Sequence, residues 1–139
     1  MAKISMNTKV NVPADRLWAT IGGFNALPAW HPAVEKSDLE GSGRGSVRRL
    51  RIAGGGEVVE RLESVSDQEK VYSYSIVSGP LPVANYVAEL RVKDNGDDTS
   101  TVEWSSTFAP AGVPETDAVR AIQGIYQAGF DNLRKMFGG

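Results

Sequence analysis

The stretch TDAVRAIQGIYQAGFDNLRKMFG, residues 116–138, decides the fold. Val119, Ile122, Tyr126, Phe130, Leu133 and Phe137 recur every three or four residues, and Ala118, Ala121, Ile125 and Gly129 widen the stripe. That spacing belongs to one amphipathic helix of about six turns, with Gly138 at its end. So long an apolar stripe needs a surface to cover. The chain before it has mostly the period of strands, so the surface is a sheet.

Working back from the helix, a linker containing Pro110 and Pro114 separates it from residues 99–108, which alternate as a strand. The Asn95-Gly96 pair marks a hairpin turn to the strand at 85–93. Earlier strands are expected at 4–10, 34–39, 45–52, 57–65 and 70–77, with the Gly54-Gly55-Gly56 run as the clearest turn. Pro13 opens a short helix carrying Leu17, Trp18 and Ile21, which Gly22-Gly23 stops. A second short helix is expected over 24–29, ended by the turn at His31-Pro32. The expectation is an α+β fold in one domain, residues 1–139. A seven-stranded antiparallel sheet wraps around a long C-terminal helix, with two short helices after the first strand.

Composition removes several kinds of function. With 139 residues the chain can bury a core without disulfide or metal staples. It has no cysteine and one histidine, so thiol chemistry and histidine-rich metal centres are excluded, while carboxylate sites for magnesium are not. Fifteen basic and 17 acidic side chains give a net charge of −2, which offers nucleic acid no attraction. No run of 18 apolar residues is present, so no membrane span is expected, and the N-terminus lacks the pattern of a secretory signal; a cytoplasmic location is expected. The triple glycine lacks the lysine and following helix of a phosphate loop. No cofactor and no metal is expected.

Hairpin arithmetic makes one face of the sheet readable. A turn centred on Gly54 sets Arg48 opposite Glu60 and Leu50 opposite Val58. A turn centred near Asp67 would set Glu60 opposite Tyr74 and Leu62 opposite Tyr72. The Asn95-Gly96 turn sets Leu90 opposite Trp104 and Tyr86 opposite Phe108. One face therefore carries Leu50, Leu62, Leu90, Trp104 and Phe108, and with them Arg48, Glu60, Tyr72, Tyr74 and Tyr86. An ion pair in a solid core often gives no net gain over hydrophobic packing. A partly wet cavity lowers that cost and gives the charges something to bind. The plainer alternative is a salt bridge closed at an open rim, with tyrosines burying their rings and wetting their hydroxyls. On the cavity reading the helix contributes Ile122, Tyr126 and Phe130, and the loops contribute Trp30 and Pro82. For His31 the simpler expectation is capping or surface duty beside Pro32, the other a place at the cavity mouth. Arg49, Arg51 and Arg61 alternate with the inward residues and belong to a solvated face.

Several stretches carry a family resemblance. They are Pro13-Ala14-Asp15-Arg16-Leu17-Trp18, the run Phe24 through Pro32, Gly45-Ser46-Val47-Arg48-Arg49, Glu60-Arg61-Leu62, Tyr72-Ser73-Tyr74, Gly79 through Tyr86, and Val102-Glu103-Trp104 with Phe108. Together they resemble the polyketide cyclase/dehydrase branch of the START-like, Bet v 1-like superfamily, over about residues 3–137. The resemblance implies a helix-grip fold with a hydrophobic cavity between sheet and helix. The superfamily includes lipid and hormone binders and aromatic polyketide cyclases. The loop Ser78-Gly79-Pro80-Leu81-Pro82 resembles the gate loop of plant hormone receptors of this fold. Their His-Arg-Leu latch is absent, with Val83-Ala84-Asn85 in its place. In the cyclases, cavity arginine, tyrosine and aspartate side chains are thought to orient the chain. Arg48, Tyr74 and Tyr86 would supply part of such a set.

Two chemistries fit this inventory. An arginine holds a carboxylate or polarises a carbonyl, a tyrosine donates a hydrogen bond, and Glu60 can serve as a base if burial outweighs the pull of Arg48. The leading expectation is binding of a small hydrophobic or amphipathic ligand, aromatic, polyketide-like or lipid. The alternative is a cyclase or dehydratase using Arg48, Glu60 and Tyr74, and the third is an interaction protein without a ligand. A monomer or weak homodimer is expected.

Overall fold

A computed structural model describes residues 1–139. Its elements run β1 (Ala2–Val10), α1 (Ala14–Ile21), α2 (Leu27–Trp30), β2 (Val34–Glu40), β3 (Val47–Ile52), β4 (Glu57–Ser66), β5 (Val71–Ser78), β6 (Val83–Asp94), β7 (Ser100–Pro110) and α3 (Glu115–Phe137). The seven strands form one antiparallel sheet in the order β1-β7-β6-β5-β4-β3-β2. The strands consecutive as β1 and β2 lie at opposite edges, so α1 and α2 span the sheet between them. The expected α+β helix-grip architecture is present, and no helix is long and apolar enough to cross a membrane.

Local chemistry explains the helices. Pro114 precedes α3, Glu115 and Asp117 sit in its first turn, and Arg134 and Lys135 in its last, so the charges oppose the helix dipole at both ends. Gly138 closes it at φ +89°, a conformation that favours glycine. Ala118, Ile122, Tyr126, Gly129, Phe130 and Leu133 are the buried face. The second short helix is shorter than the expected 24–29. Pro28 has no N–H to give the Phe24 carbonyl, so a helix cannot start there, and that carbonyl is left for another donor.

The β3–β4 and β6–β7 hairpins have the expected pairs: Arg48 opposite Glu60, Leu50 opposite Val58, Leu90 opposite Trp104. Tyr86 and Phe108 lie where the β6–β7 register shifts, yet their rings are 6.0 Å apart. The β4–β5 hairpin differs from expectation by two residues: Glu60 pairs with Ile76, and Leu62 with Tyr74. The strands continue to Ser66 and from Val71, with Lys70 at φ +56°, so the turn lies later than Asp67. A bulge at Glu63, between the Leu62 and Ser64 pairs, then returns Leu62 and Tyr74 to the interior.

Candidate functional site

The interior divides along α3. Toward its C-terminal half, Phe130 and Leu133 are fully buried, with Val10 and Val102 equally so on the sheet. Gly129 lets the rings of Trp30, His31 and Trp104 press against the helix; a Cβ there would come within 2.9 Å of both Trp30 and His31. Trp104 also stacks on Tyr126 at 4.2 Å and lies 6.3 Å from Phe130. Under the N-terminal half, a hollow of about 170 Å³ remains. Ile122 and Ile125 form its helix side, and Leu50, Val58, Glu60, Tyr74, Tyr86 and Trp104 its sheet side. Its half-exposed rim comprises Ala33, Ile52, Ile76, Leu81 and Ile125, with exposed Pro80 beside them.

Arg48 and Glu60 meet at the inner side of this hollow, 0% and 6% exposed. Arg48 Nε donates to Glu60 Oε1 at 2.8 Å, and Nη2 lies 2.7 Å from the same oxygen without the direction of a good hydrogen bond. Nη1 donates to the Phe24 carbonyl at 2.6 Å, the one that Pro28 leaves free, and reaches the Tyr72 hydroxyl at 3.4 Å. The rings of Phe24, Tyr74 and Tyr72 lie 4.0, 4.9 and 5.7 Å from the guanidinium carbon. Arg48 is thus caged and does not line the hollow. Glu60 does line it, and its second oxygen, Oε2, receives no hydrogen bond from the protein.

The polar groups beside the pair are joined to one another. Trp104 Nε1 donates to the Tyr74 hydroxyl at 3.0 Å, Tyr74 lies 3.2 Å from the Tyr86 hydroxyl, and Tyr86 bonds Tyr126. Ser106 Oγ makes no well-directed hydrogen bond, but it lies close enough to help stabilise a Tyr126 phenolate. Burial pushes the pKa of Tyr74, Tyr86 and Tyr126 upward, and for the first two the neighbouring tyrosines push the same way, so at neutral pH these are hydrogen-bonding phenols. Burial also raises Glu60, and Arg48 opposes that rise. For Arg48, burial works against the charge, but Glu60, Tyr72 and Tyr74 together outweigh it and hold the cation.

His31 is the group the sequence placed least well. It is 2% exposed and lines the hollow. The Ala33 N–H donates to Nδ1 at 3.1 Å, so Nδ1 accepts; Nε2 then carries the proton and donates to the Ile125 carbonyl at 2.7 Å. This neutral tautomer ties the α2–β2 junction to α3, and burial lowers its pKa. Asn132 Nδ2 makes a second tie, to the Trp30 carbonyl at 2.8 Å. Only the adjacency of His31 to Trp30 and Pro32 hinted at this, because a lone polar residue in a loop ordinarily reads as exposed.

Of the residues expected around a cavity, Leu50, Glu60, Tyr74, Tyr86, Trp104 and Ile122 border the hollow. Arg48, Leu62, Tyr72, Leu90 and Phe108, with Trp30, Tyr126 and Phe130, are buried around it without lining it. Pro82 stands off, and Pro80 and Leu81 of the same loop line the rim instead. No group of three His, Cys, Asp or Glu side chains is arranged to hold a metal ion.

The family model described as polyketide cyclase / dehydrase and lipid transport matches residues 1–138. The solved structure of the protein XoxI from Bacillus cereus superposes with a TM-score of 0.94 at 39% identity, covering 99% of this chain and 96% of that one. The Zhui aromatase/cyclase from Streptomyces sp. R1128 gives a TM-score of 0.77 at 16% identity over 95% and 90% of the two chains, a likeness of fold alone. An abscisic acid receptor of Arabidopsis thaliana is 27% identical over 139 residues, 91% of this chain; the chain spans 65% of that relative's length.

Proposed function

We propose, for a chain that belongs to the polyketide cyclase/dehydrase and lipid-transport family, that it binds a small, largely apolar ligand in the hollow beneath the N-terminal half of α3. The observation that carries this is the lining: 13 of its 16 residues are hydrophobic, with Glu60 the single carboxylate among them. Drug-sized ligands fill pockets of roughly 300–1,000 Å³, whereas an apolar cavity of roughly 150 Å³ takes a benzene. At about 170 Å³ the hollow suits one ring with a short substituent. A polyketide or a lipid chain needs the rim of Ile52, Ile76, Pro80 and Leu81 to part.

Native mass spectrometry of the protein after incubation with single-ring aromatic compounds and, separately, a lipid extract tests this. Retention of the small compounds is expected. Absence of any bound species from both mixtures would leave the chain as an interaction protein.

A catalytic reading rests on Glu60 alone, since its free oxygen borders the hollow while Arg48 is caged. On that reading Glu60 moves the proton, and Arg48 is a positioning residue that fixes the carboxylate. Once a turned-over substrate is known, Glu60→Gln should lower kcat roughly 10²- to 10⁴-fold with binding little changed. Unchanged kcat in a folded variant removes the base role.

A further inference from the structure

We infer that the polar end of the ligand is a neutral hydrogen-bond donor, an alcohol or phenol hydroxyl, seated on Glu60 Oε2. The inference rests on the binding reading above and names its ligand class. It follows from which hydrogen-bonding capacity around the hollow is already committed. Arg48 directs Nε at Glu60 and Nη1 at Phe24 and Tyr72, with Nη2 packed against Glu60 Oε1. His31 gives its only proton to Ile125. Trp104 gives its proton to Tyr74, whose hydroxyl is bonded to that of Tyr86 and through it to Tyr126, so every phenol oxygen beside the hollow already has a protein partner. The side-chain polar atom of the lining that no protein group bonds is an acceptor, Glu60 Oε2, on a residue 6% exposed.

The Arg48 fork closes on one carboxylate oxygen instead of bridging both, and this leaves Oε2 bare. A bidentate pair would have occupied both oxygens. A ligand carboxylate would meet this oxygen with like charge, and Arg48 is not accessible to balance it. A ligand ammonium would add a net charge to an apolar hollow whose carboxylate Arg48 already neutralises, at a desolvation cost. A hydroxyl carries neither penalty, and its hydrogen bond to a carboxylate is among the stronger kinds.

The test uses toluene, benzyl alcohol and anisole, titrated into the whole chain at pH 8 and followed by amide chemical shifts. Benzyl alcohol and anisole are isomers, so size is constant and only the donor differs. Without an acceptor in the hollow, the alcohol would bind more weakly than its isomer, because the hydroxyl loses its water. With Oε2 accepting, benzyl alcohol is expected to bind several-fold more tightly than anisole. In Glu60→Gln, where the amide oxygen faces Arg48 and the NH₂ group faces the hollow, that preference should fall by about tenfold. Anisole binding as well as or better than benzyl alcohol to the wild type overturns the inference, while toluene binding keeps the cavity reading. An unchanged preference in a folded Glu60→Gln protein also overturns it. Failure of all three compounds to bind overturns both. Should Glu60→Gln not fold, the wild-type order of the isomers still decides.

Discussion

The two halves of α3 cover the same sheet and do different work. Around Phe130 and Leu133 the space is filled, and Gly129 lacks a side chain so that three rings can reach the helix. Around Ile122 and Ile125 the facing side chains stop short, and about 170 Å³ is left. The apolar stripe is continuous across both halves, so hydrophobicity alone does not distinguish them. Fit does. Close packing contributes stability where it is complete, and its local absence makes room for a ligand.

The largest effect should come from truncating the same kind of side chain at either end. Leu133→Ala opens a cavity in filled space and is expected to cost about 2–5 kcal/mol. Ile122→Ala enlarges a hollow that already deprives Ile122 of partners, and should cost at least about 1 kcal/mol less than Leu133→Ala. Urea unfolding of both variants checks this; equal losses would erase the contrast between the halves.

Gly129→Ala sharpens it from the other side. The new methyl would meet Trp30 and His31 at 2.9 Å and Trp104 at 3.2 Å. These are ring atoms that cannot bend aside. Overpacking typically costs about 1–3 kcal/mol, which should exceed the roughly 1 kcal/mol gained from alanine's helix propensity. A thermal midpoint equal to or above that of the wild type would show that the rings give way.

The boundary between the halves is held by His31, and its contribution should be the smallest and the most dependent on pH. Burial lowers its pKa below 6.5, so the unfolded chain binds the extra proton first. Stability from this group is therefore present above 6.5 and lost as the pH falls through the lowered value. Glu60 runs oppositely: its raised pKa makes its contribution fullest below 4.5 and lost as the pH rises through the raised value. His31→Gln should remove only the first slope. Unfolding free energies of wild type and variant measured from pH 7 to pH 5 separate the two, and parallel curves would exclude His31 as the source.

Sequence pattern reached the architecture because period is a local property. The 3.6 spacing of α3, the alternation of β6 and β7, and the glycine turn that sets Arg48 against Glu60 are each contained in a few residues. The β4–β5 register lay outside that reach. It depends on a bulge at Glu63, and nothing in the neighbouring residue types marks one. The membership of an inward band was legible from parity, but the place of the hollow within it was not. A void is fixed by where side chains from five or more elements fail to meet. That is why Arg48, on the right face and in the right strand, is packed behind the lining, and why Pro80 and Leu81 hold the rim where Pro82 was expected.

The position of β1 sets a timetable for the hollow. Ala2 pairs with Phe108, and the helix that roofs the sheet follows later still, whereas β2 through β6 each pair with the next strand in the chain. Closing so long a loop is entropically costly before other contacts exist. The neighbouring hairpins are thus expected to form first, with β1 and α3 docking last, and pulse-labelled hydrogen exchange should protect amides of β4–β6 before those of β1. During synthesis β1 would wait, unpaired, until β7 had been made, and no binding space would exist before α3 had followed it.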